Sequence, residues 1–372
     1  MLPGAMNALD KPPTDEVLVR QSGGLGRLTL NRPAVLNALT PSMVARMVEA
    51  ITGWEADDTI SAILIDGAGD RGFCAGGDVR FLHASGRRRD GLAQRFWHDE
   101  YVLNALIARC AHPVIGIMSG IVIGAGLGLT GHARHRIATE NLRLSMPEVG
   151  IGLIPDVGAT WLLSHAPGEI GTYIGLTGAS VGVEDAIALG LADRFIPAKH
   201  LPLLVGRLSD LGTSGRADHV EAALETLAER PGRAPLWERR AVIDRCFRFD
   251  TLEEIAAALA AEPGDWAGGA LQLLRTRSPT SLKISLAALR AARDLESLED
   301  CLRLEFRLVC RILDGHDFYE GVRSAVIDKD RAPRWRPTLI EDVTDETVCA
   351  YLDPQHSPEV LFAPRTREPR AG

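Results

Sequence analysis

Cysteine is sparse and unpatterned in this chain. Its 372 residues include six, at positions 74, 110, 246, 301, 310 and 349, with no C-x-x-C spacing. That excludes a disulfide framework and a cysteine-rich zinc site, and leaves isolated thiols in a reducing, cytoplasmic setting. Basic runs are missing too. Net charge is −8, and the one short basic cluster is Arg87-Arg88-Arg89. No nucleic-acid partner is expected; the triplet reads as a solvated loop or, more sharply, as a contact to an anionic ligand such as a nucleotide phosphate. Met1 to Val17 lacks the apolar core of a signal peptide and the Arg/Ser richness of a mitochondrial presequence, so residues 1–15 are expected to form a disordered tail. Pro113 to Gly131 is uncharged and long enough to span a membrane, but six of its residues are Gly and Pro113 opens it. A buried strand followed by the start of a buried helix is expected there, and no membrane partner. No low-complexity tract or repeat is visible.

Hydrophobic residues make up 46% of the chain, enough for one large domain or two ordinary ones. Val17 to Leu30 reads as two strands joined by a Gly-rich turn. Thr40-Pro41 opens a helix with Met43, Val44, Met47, Ile51 and Trp54 at core spacing. Ala62 to Ile65 and Pro113 to Met118 read as strands covered on both faces. A helix is expected from Asp99 to Arg109. Beyond Asp156 the character turns helical, most clearly over Ser281 to Arg293 and over Ser297 to Leu313, where Ser297 and Asp300 form a capping box. The chain from Pro333 onward, rich in Pro and Arg, is expected to wrap the surface.

The chemistry concentrates in Ser145 to Gly158. This run is apolar and punctuated by Gly and Pro, yet it carries Glu148 and Asp156. Each alone reads as a turn residue. Together, flanking one apolar run, they suggest paired carboxylates in a dry pocket, an arrangement suited to acid/base work near neutral pH. Two Gly-rich loops precede them. Gly126-Leu127-Gly128-Leu129-Thr130-Gly131 matches a dinucleotide fingerprint, but glycine is abundant here and the turn glycines begin earlier, at Gly120 and Gly124, so no Rossmann site is expected. The loops Cys74 to Asp78 and Ile123 to Gly126 could each aim one backbone N–H at a single oxygen, forming an oxyanion hole, or could serve only tight turns and close packing.

Several motifs, in order and at fixed spacing, resemble those of the crotonase (enoyl-CoA hydratase/isomerase) superfamily. They are Leu30-Asn31-Arg32-Pro33 with Asn37-Ala38-Leu39, Gly72 to Asp78, Gly120 with Gly124-Ala125-Gly126, and Met146-Pro147-Glu148 through Ile151-Gly152-Leu153 to Pro155-Asp156-Val157-Gly158. The match spans roughly residues 16 to 200. Farther on, His316-Asp317-Phe318, Glu320 to Arg323, Asp328-Lys329-Asp330, Pro333 and Trp335, with Glu100-Tyr101, look like the 3-hydroxyisobutyryl-CoA hydrolase branch.

The resemblance implies an α/β spiral of β-β-α turns over residues 16–200, a helical region over 201–335 and a surface tail over 336–372. It implies an acyl-CoA substrate whose thioester carbonyl sits between the N–H groups of Gly77 and Ala125, the latter standing where the family usually has Gly. Glu148 is then the catalytic base or nucleophile and Asp156 its catalytic partner. Glu100, Ala75 and Asp78 would contact substrate, with the adenine half of CoA near residues 72–78. The implied reaction is hydrolysis of a short 3-hydroxyacyl-CoA, 3-hydroxyisobutyryl-CoA of valine catabolism. No metal or redox cofactor is implied, since coenzyme A belongs to the substrate. A homo-oligomer, commonly a trimer in this superfamily, is expected, with the helix at Ser297 to Leu313 serving as interface or as intrachain cover. Enoyl-CoA hydratases carry a second Glu at the position of Gly128, so two-carboxylate hydration lacks one group here. Some dienoyl-CoA isomerases place an acid eight positions after the first, as Asp156 follows Glu148, so isomerisation stays open. A non-catalytic CoA-binding protein on the same fold is the remaining alternative.

Overall fold

The computed structural model describes residues 15–211, 217–355 and 359–362. The disordered tail expected over residues 1–15 lies, apart from Asp15, outside the described residues. Gly23, at φ +54°, turns β1 (Val17–Ser22) back onto β2 (Leu25–Leu30) as an antiparallel hairpin with Val17 opposite Leu30. The helix α1 (Pro41–Glu55) starts where its cap requires: Thr40 Oγ1 accepts the Met43 N–H at 3.3 Å, and all five core-spaced residues are buried.

From β3 (Ala62–Gly67) the chain winds as a spiral. Each turn lays one strand in a large sheet, bends into a short strand of a second sheet, and returns through helix. The first turn runs β3, β4 (Gly72–Cys74), α2 (Val79–Arg88) and α3 (Leu92–Arg109). The next runs β5 (Val114–Met118), β6 (Ile121–Ile123) and α4 (Ala125–Thr130). The third runs β7 (His135–Ala138), β8 (Arg143–Ser145), α5 (Ala159–Ser164), α6 (Ile170–Thr177) and α7 (Val183–Ala188), and ends at β9 (Arg194–Phe195). The sheet orders are β1-β2-β3-β5-β7-β9 and β4-β6-β8, parallel throughout after the first hairpin. This is the expected α/β spiral of β-β-α turns. Gly120 makes one bend possible: at φ +63°, a Cβ there would stand 2.7 Å from the Arg71 carbonyl oxygen.

Parallel strands need cover on both faces. One face of the large sheet packs on the main core. The other buries Leu64, Ile115, Ile117 and Ile137 against α8 (Leu201–Ser209) and α9 (Ala217–Glu225). Among the described residues a β-bridge of Glu229 to Phe195 follows, then helices: α10 (Pro235–Glu238), α11 (Arg240–Phe247), α12 (Leu252–Ala261), α13 (Asp265–Arg275), α14 (Pro279–Ala292), α15 (Leu298–Ile312), α16 (Asp317–Val322), a π-helical turn at Arg323–Ile327, and α17 (Asp345–Leu352). One hydrophobic core runs from Val17 to Val360, so residue 200 marks a change of secondary structure within a shared core. The C-terminal stretch does more than wrap the surface, because α17 packs on α14 and α15, and Val343 and Val360 are buried.

The helix α15 has its predicted cap, Ser297 Oγ accepting the Asp300 N–H at 3.2 Å. Ten of its fifteen residues are buried against α3, α5, α14 and α17. Of the two roles expected for this helix it fills the intrachain one, and its apolar face is not free for an oligomer contact. No helix among the described residues is long and apolar enough to cross a membrane.

Candidate active site

Asn37 shapes the first wall of the site. It is fully buried at φ +55°. Its Oδ1 accepts the Arg32 N–H at 2.8 Å, and its Nδ2 donates to the carbonyls of Ala68 at 3.1 Å and Phe73 at 2.9 Å. The turn it stabilises lies along the glycine loop. The N–H of Ala75 donates to Leu36, that of Leu39 to Gly76, and that of Asp78 to Leu39, each at 2.9 Å. This ladder skips Gly77, whose N–H has no protein acceptor among the described residues. Across the site, Gly124 at φ +50° introduces α4, so the N–H of Ala125 is a first-turn donor without an acceptor among the described residues. The two loops adjoin: a Cβ on Gly124 would lie 3.6 Å from Gly76 Cα. Both border a cavity of about 400 Å³, lined also by Phe96, Trp97, Ile151 and Leu153.

Three carboxylates enter that cavity: Glu100 from α3, Glu148 from the start of a 3-10 turn (Glu148–Ile151), and Asp156 from the turn before α5. All are buried. A Cβ on Gly124 would stand 2.7 Å from Glu148 Oε1, so this carboxylate lies against the Gly124–Ala125 turn. Glu148 Oε2 and Glu100 Oε1 have no partner among the described residues. Burial, then repulsion from Asp156, holds the Glu148 carboxyl well above the usual carboxylate range. Burial, then Asp156, then Glu148, does the same to Glu100. Burial pushes Asp156 up to about 7, against a 2.8 Å hydrogen bond donated by the Tyr101 phenol. All three carboxyls thus resist ionisation, and Asp156 is brought near neutrality, where a carboxyl group can act as acid or base.

A fourth carboxylate beside α4 is sterically excluded. A Cβ on Gly128 would stand 2.7 Å from Val157 Cβ and 2.9 Å from Asn104 Nδ2. The position where hydratases carry their second Glu is thus packed shut as well as lacking the acid.

Of the residues expected at the site, Glu148, Asp156, Gly77, Ala125, Glu100 and Ala75 all border this cavity. Asp78 does not. Its side chain caps α2, accepting the Phe81 N–H at 3.2 Å, and approaches Arg32 at 3.8 Å. Nor is the arginine triplet a loop. Arg87 and Arg88 end α2 and Arg89 is its left-handed C-cap; Arg87 stacks over Tyr319 and Arg88 pairs with Asp90 at 2.8 Å.

Sequence reasoning gave no role to Tyr101 or to Arg277, which also lines the cavity. Arg277 is pinned by two bonds to the Thr177 carbonyl, at 3.2 and 2.6 Å, and pairs with no carboxylate among the described residues. Tyr101 adjoins Glu100 in a motif already singled out, whereas no local pattern marks Arg277. A larger hollow of about 630 Å³ opens beside α8, but its charged pair, Arg27 and Asp66, is self-satisfied at 2.6 Å. The unpartnered acids and free N–H donors are in the smaller cavity.

A family model described as enoyl-CoA hydratase/isomerase matches residues 25–352. The Arabidopsis thaliana 3-hydroxyisobutyryl-CoA hydrolase 1 is 37% identical over 98% of this chain and 99% of its own length. The Rattus norvegicus mitochondrial 3-hydroxyisobutyryl-CoA hydrolase is 36% identical over 94% of this chain and 91% of its own. A solved carnitinyl-CoA dehydratase from Mycobacterium thermoresistibile superposes with a TM-score of 0.88 at 44% identity, over 94% of this chain and 99% of that one. With its spiral fold, its two free loop donors and its buried carboxylates, this chain belongs to the enoyl-CoA hydratase/isomerase family.

Proposed function

We propose that the chain hydrolyses a short 3-hydroxyacyl-CoA thioester, 3-hydroxyisobutyryl-CoA, to the free acid and coenzyme A, a step of valine catabolism. The observation that carries this reading is Glu148, lying against the Gly124–Ala125 turn while the position of a hydratase's second acid is closed by Val157 and Asn104. The relatives named as 3-hydroxyisobutyryl-CoA hydrolases support it.

The thioester carbonyl oxygen would accept hydrogen bonds from the N–H groups of Gly77 and Ala125. Each such donor contributes about 3–4 kcal/mol where the tetrahedral oxyanion forms. Glu148 then takes a proton from water as the water oxygen attacks the carbonyl carbon, or attacks that carbon itself to give a Glu148 acyl anhydride that water hydrolyses once thiolate has left. Collapse of the intermediate breaks the C–S bond and releases thiolate, which leaves without a strong general acid. Asp156, with Tyr101, orients Glu148, the water or the substrate hydroxyl, and Glu100 lines the acyl pocket. These steps call for no metal or redox cofactor.

The name of the solved relative, a dehydratase, favours reversible water addition as the second reading. The Glu148/Asp156 pair also suits isomerisation. Thiol release from a panel of acyl-CoAs, set beside crotonyl-CoA hydration, tests the choice. A higher kcat/KM for 3-hydroxyisobutyryl-CoA hydrolysis is expected, and a higher value for hydration would reverse it. A chain that binds CoA esters and turns none over would be a binding protein. We further propose a cytoplasmic location, consistent with six free cysteines. The rat relative is named mitochondrial, and recovery of this chain in a matrix fraction would overturn that placement. A homo-oligomer, a trimer or a multiple of one, is the proposed assembly, and sedimentation as a monomer at working concentration would refute it.

A further inference from the structure

The turn that presents Asp156 is held from a distant part of the chain. Val157 and Gly158 are consecutive left-handed residues, at φ +57° and +78°. For a β-branched residue this conformation costs about 1–2 kcal/mol, so surrounding contacts must impose it. The Ala159 N–H closes the turn on the Asp156 carbonyl at 2.9 Å, and His132 Nε2 lies 2.7 Å from the Val157 carbonyl. The main clamp is Glu305 on α15. Its Oε2 accepts the Gly158 N–H at 2.6 Å, and its Oε1 accepts the Thr160 N–H at 3.0 Å and the Thr160 hydroxyl at 2.5 Å.

Glu305 is fully buried, on the stripe of α15 that includes Cys301, Leu302, Leu308 and Val309. A carboxylate is an expensive way to satisfy two amide donors there, since a neutral amide or hydroxyl cap desolvates at lower cost. Stability alone does not account for the choice. Asp156 and Tyr101 both lie within electrostatic reach of the acid, and Cys301 adjoins it through Thr160 at 2.8 Å. No basic side chain pairs with it among the described residues.

We infer that Glu305 is a positioning residue for catalysis: by clamping Gly158 and Thr160 it fixes the turn that points Asp156 into the cavity. The inference rests on the hydrolase reading for its assay but acts through Asp156 whichever reaction the cavity performs. A glutamine at 305 has one acceptor oxygen and one donor amide, so it must set N–H against N–H at Gly158 or at Thr160.

The test is a double-mutant cycle of Glu305→Gln with Asp156→Asn, read as kcat and KM for thiol release from 3-hydroxyisobutyryl-CoA. The single Glu305→Gln change should lower kcat about 10–100-fold with KM within threefold, and should add less than threefold to the loss already caused by Asp156→Asn. Multiplicative losses in the double variant, or a Glu305→Gln enzyme with full kcat per folded molecule and only a lower Tm, would overturn the inference. If Glu305→Gln does not fold, Thr160→Val decides. It is isosteric, removes the hydroxyl contacts to Glu305 and to Cys301 while keeping the Thr160 N–H bond to Glu305, and should cost kcat about 3–10-fold in the native background but not in the Asp156→Asn background; equal losses in both would overturn it. A wild-type chain that releases no thiol defeats the hydrolase reading alone, and the cycle is then run on crotonyl-CoA hydration with the same criteria.

Discussion

The Tyr101 phenol donates a 2.8 Å hydrogen bond to Asp156 Oδ2, and both residues are buried. Burial drives the Asp156 carboxyl upward to about 7, and this bond is the largest influence opposing it. Tyr101→Phe removes the opposition without changing ring packing against Phe306. The Asp156 pKa then rises further, so the acid limb of the kcat/KM profile should move to higher pH. Losing a hydrogen bond to a charged acceptor costs about 1.5–3 kcal/mol, so activity near pH 6 should fall much more than activity near pH 9. Full pH profiles of both enzymes check this, and an unmoved acid limb contradicts it.

The same cluster governs stability. Burial raises Asp156 to about 7 and Glu305 to about 8, from ordinary values near 4. A group whose folded pKa is raised contributes stability that is fully present below its unfolded pKa and is lost as pH rises through the folded one. Ligand-free protein should therefore lose stability between about pH 4 and pH 8. Ion-paired acids work the other way. Arg323 holds Glu320 down at about 2, a contribution lost as pH falls below the usual carboxylate range. A Tm maximum near pH 5 follows, and differential scanning calorimetry across pH 3–9 measures it. A Tm that climbs steadily from pH 5 to pH 8 would be incompatible with buried acids that resist ionisation.

The legible parts of this chain were those where a local pattern has one physical meaning. Thr40-Pro41 and Ser297 cap helices because a hydroxyl acceptor before a first turn has little else to do, and Ala62 to Ile65 reads as a central strand because a continuous apolar run needs cover on both faces. Glu148 and Asp156 stood out as charges in apolar company. The helix α2 is hard to read from sequence because a glycine-dense run precedes it, three arginines end it, and Leu82 is its one fully buried apolar residue, with Val79 and Phe81 partly buried beside it. Asp78 lies outside the cavity because an acid beside a glycine loop serves equally as a cap, and here it caps α2. Glu305 left a readable sign, a carboxylate on the apolar stripe of an amphipathic helix. Arg277 left none, because its role depends on a carbonyl 100 residues away.

Gly128 offers a test of whether hydration is one substitution away. Enoyl-CoA hydratases have Glu there, yet here a Cβ would meet Val157 Cβ at 2.7 Å and Asn104 Nδ2 at 2.9 Å. Gly128→Glu must displace the turn that carries Asp156 and bury another carboxylate. It should cost about 3 kcal/mol or more in stability and reduce thiol release without creating crotonyl-CoA hydration. Urea unfolding and the two activity assays measure each part. A stable variant with new hydratase activity would show that the site is closer to the hydratases than its packing indicates.

Glu148→Gln separates the chemistry of this carboxylate from its shape. The substitution is isosteric and keeps an oxygen available beside the Gly124–Ala125 turn, but it removes the charge and the basicity. CoA-ester binding should persist, because the cavity walls and the N–H donors of Gly77 and Ala125 are untouched. Turnover should not: loss of a general base lowers the rate about 10²–10⁴-fold. Stability should move the opposite way. Repulsion from Asp156 and burial both penalise ionised Glu148, so removing its charge should raise Tm at pH 8 and flatten the fall in stability above pH 5. A variant slower than 10⁴-fold favours direct attack by Glu148 on the thioester over activation of water, since no residual water attack then remains. Near-normal kcat, or a Tm lowered at pH 8, would remove Glu148 from the centre of the mechanism.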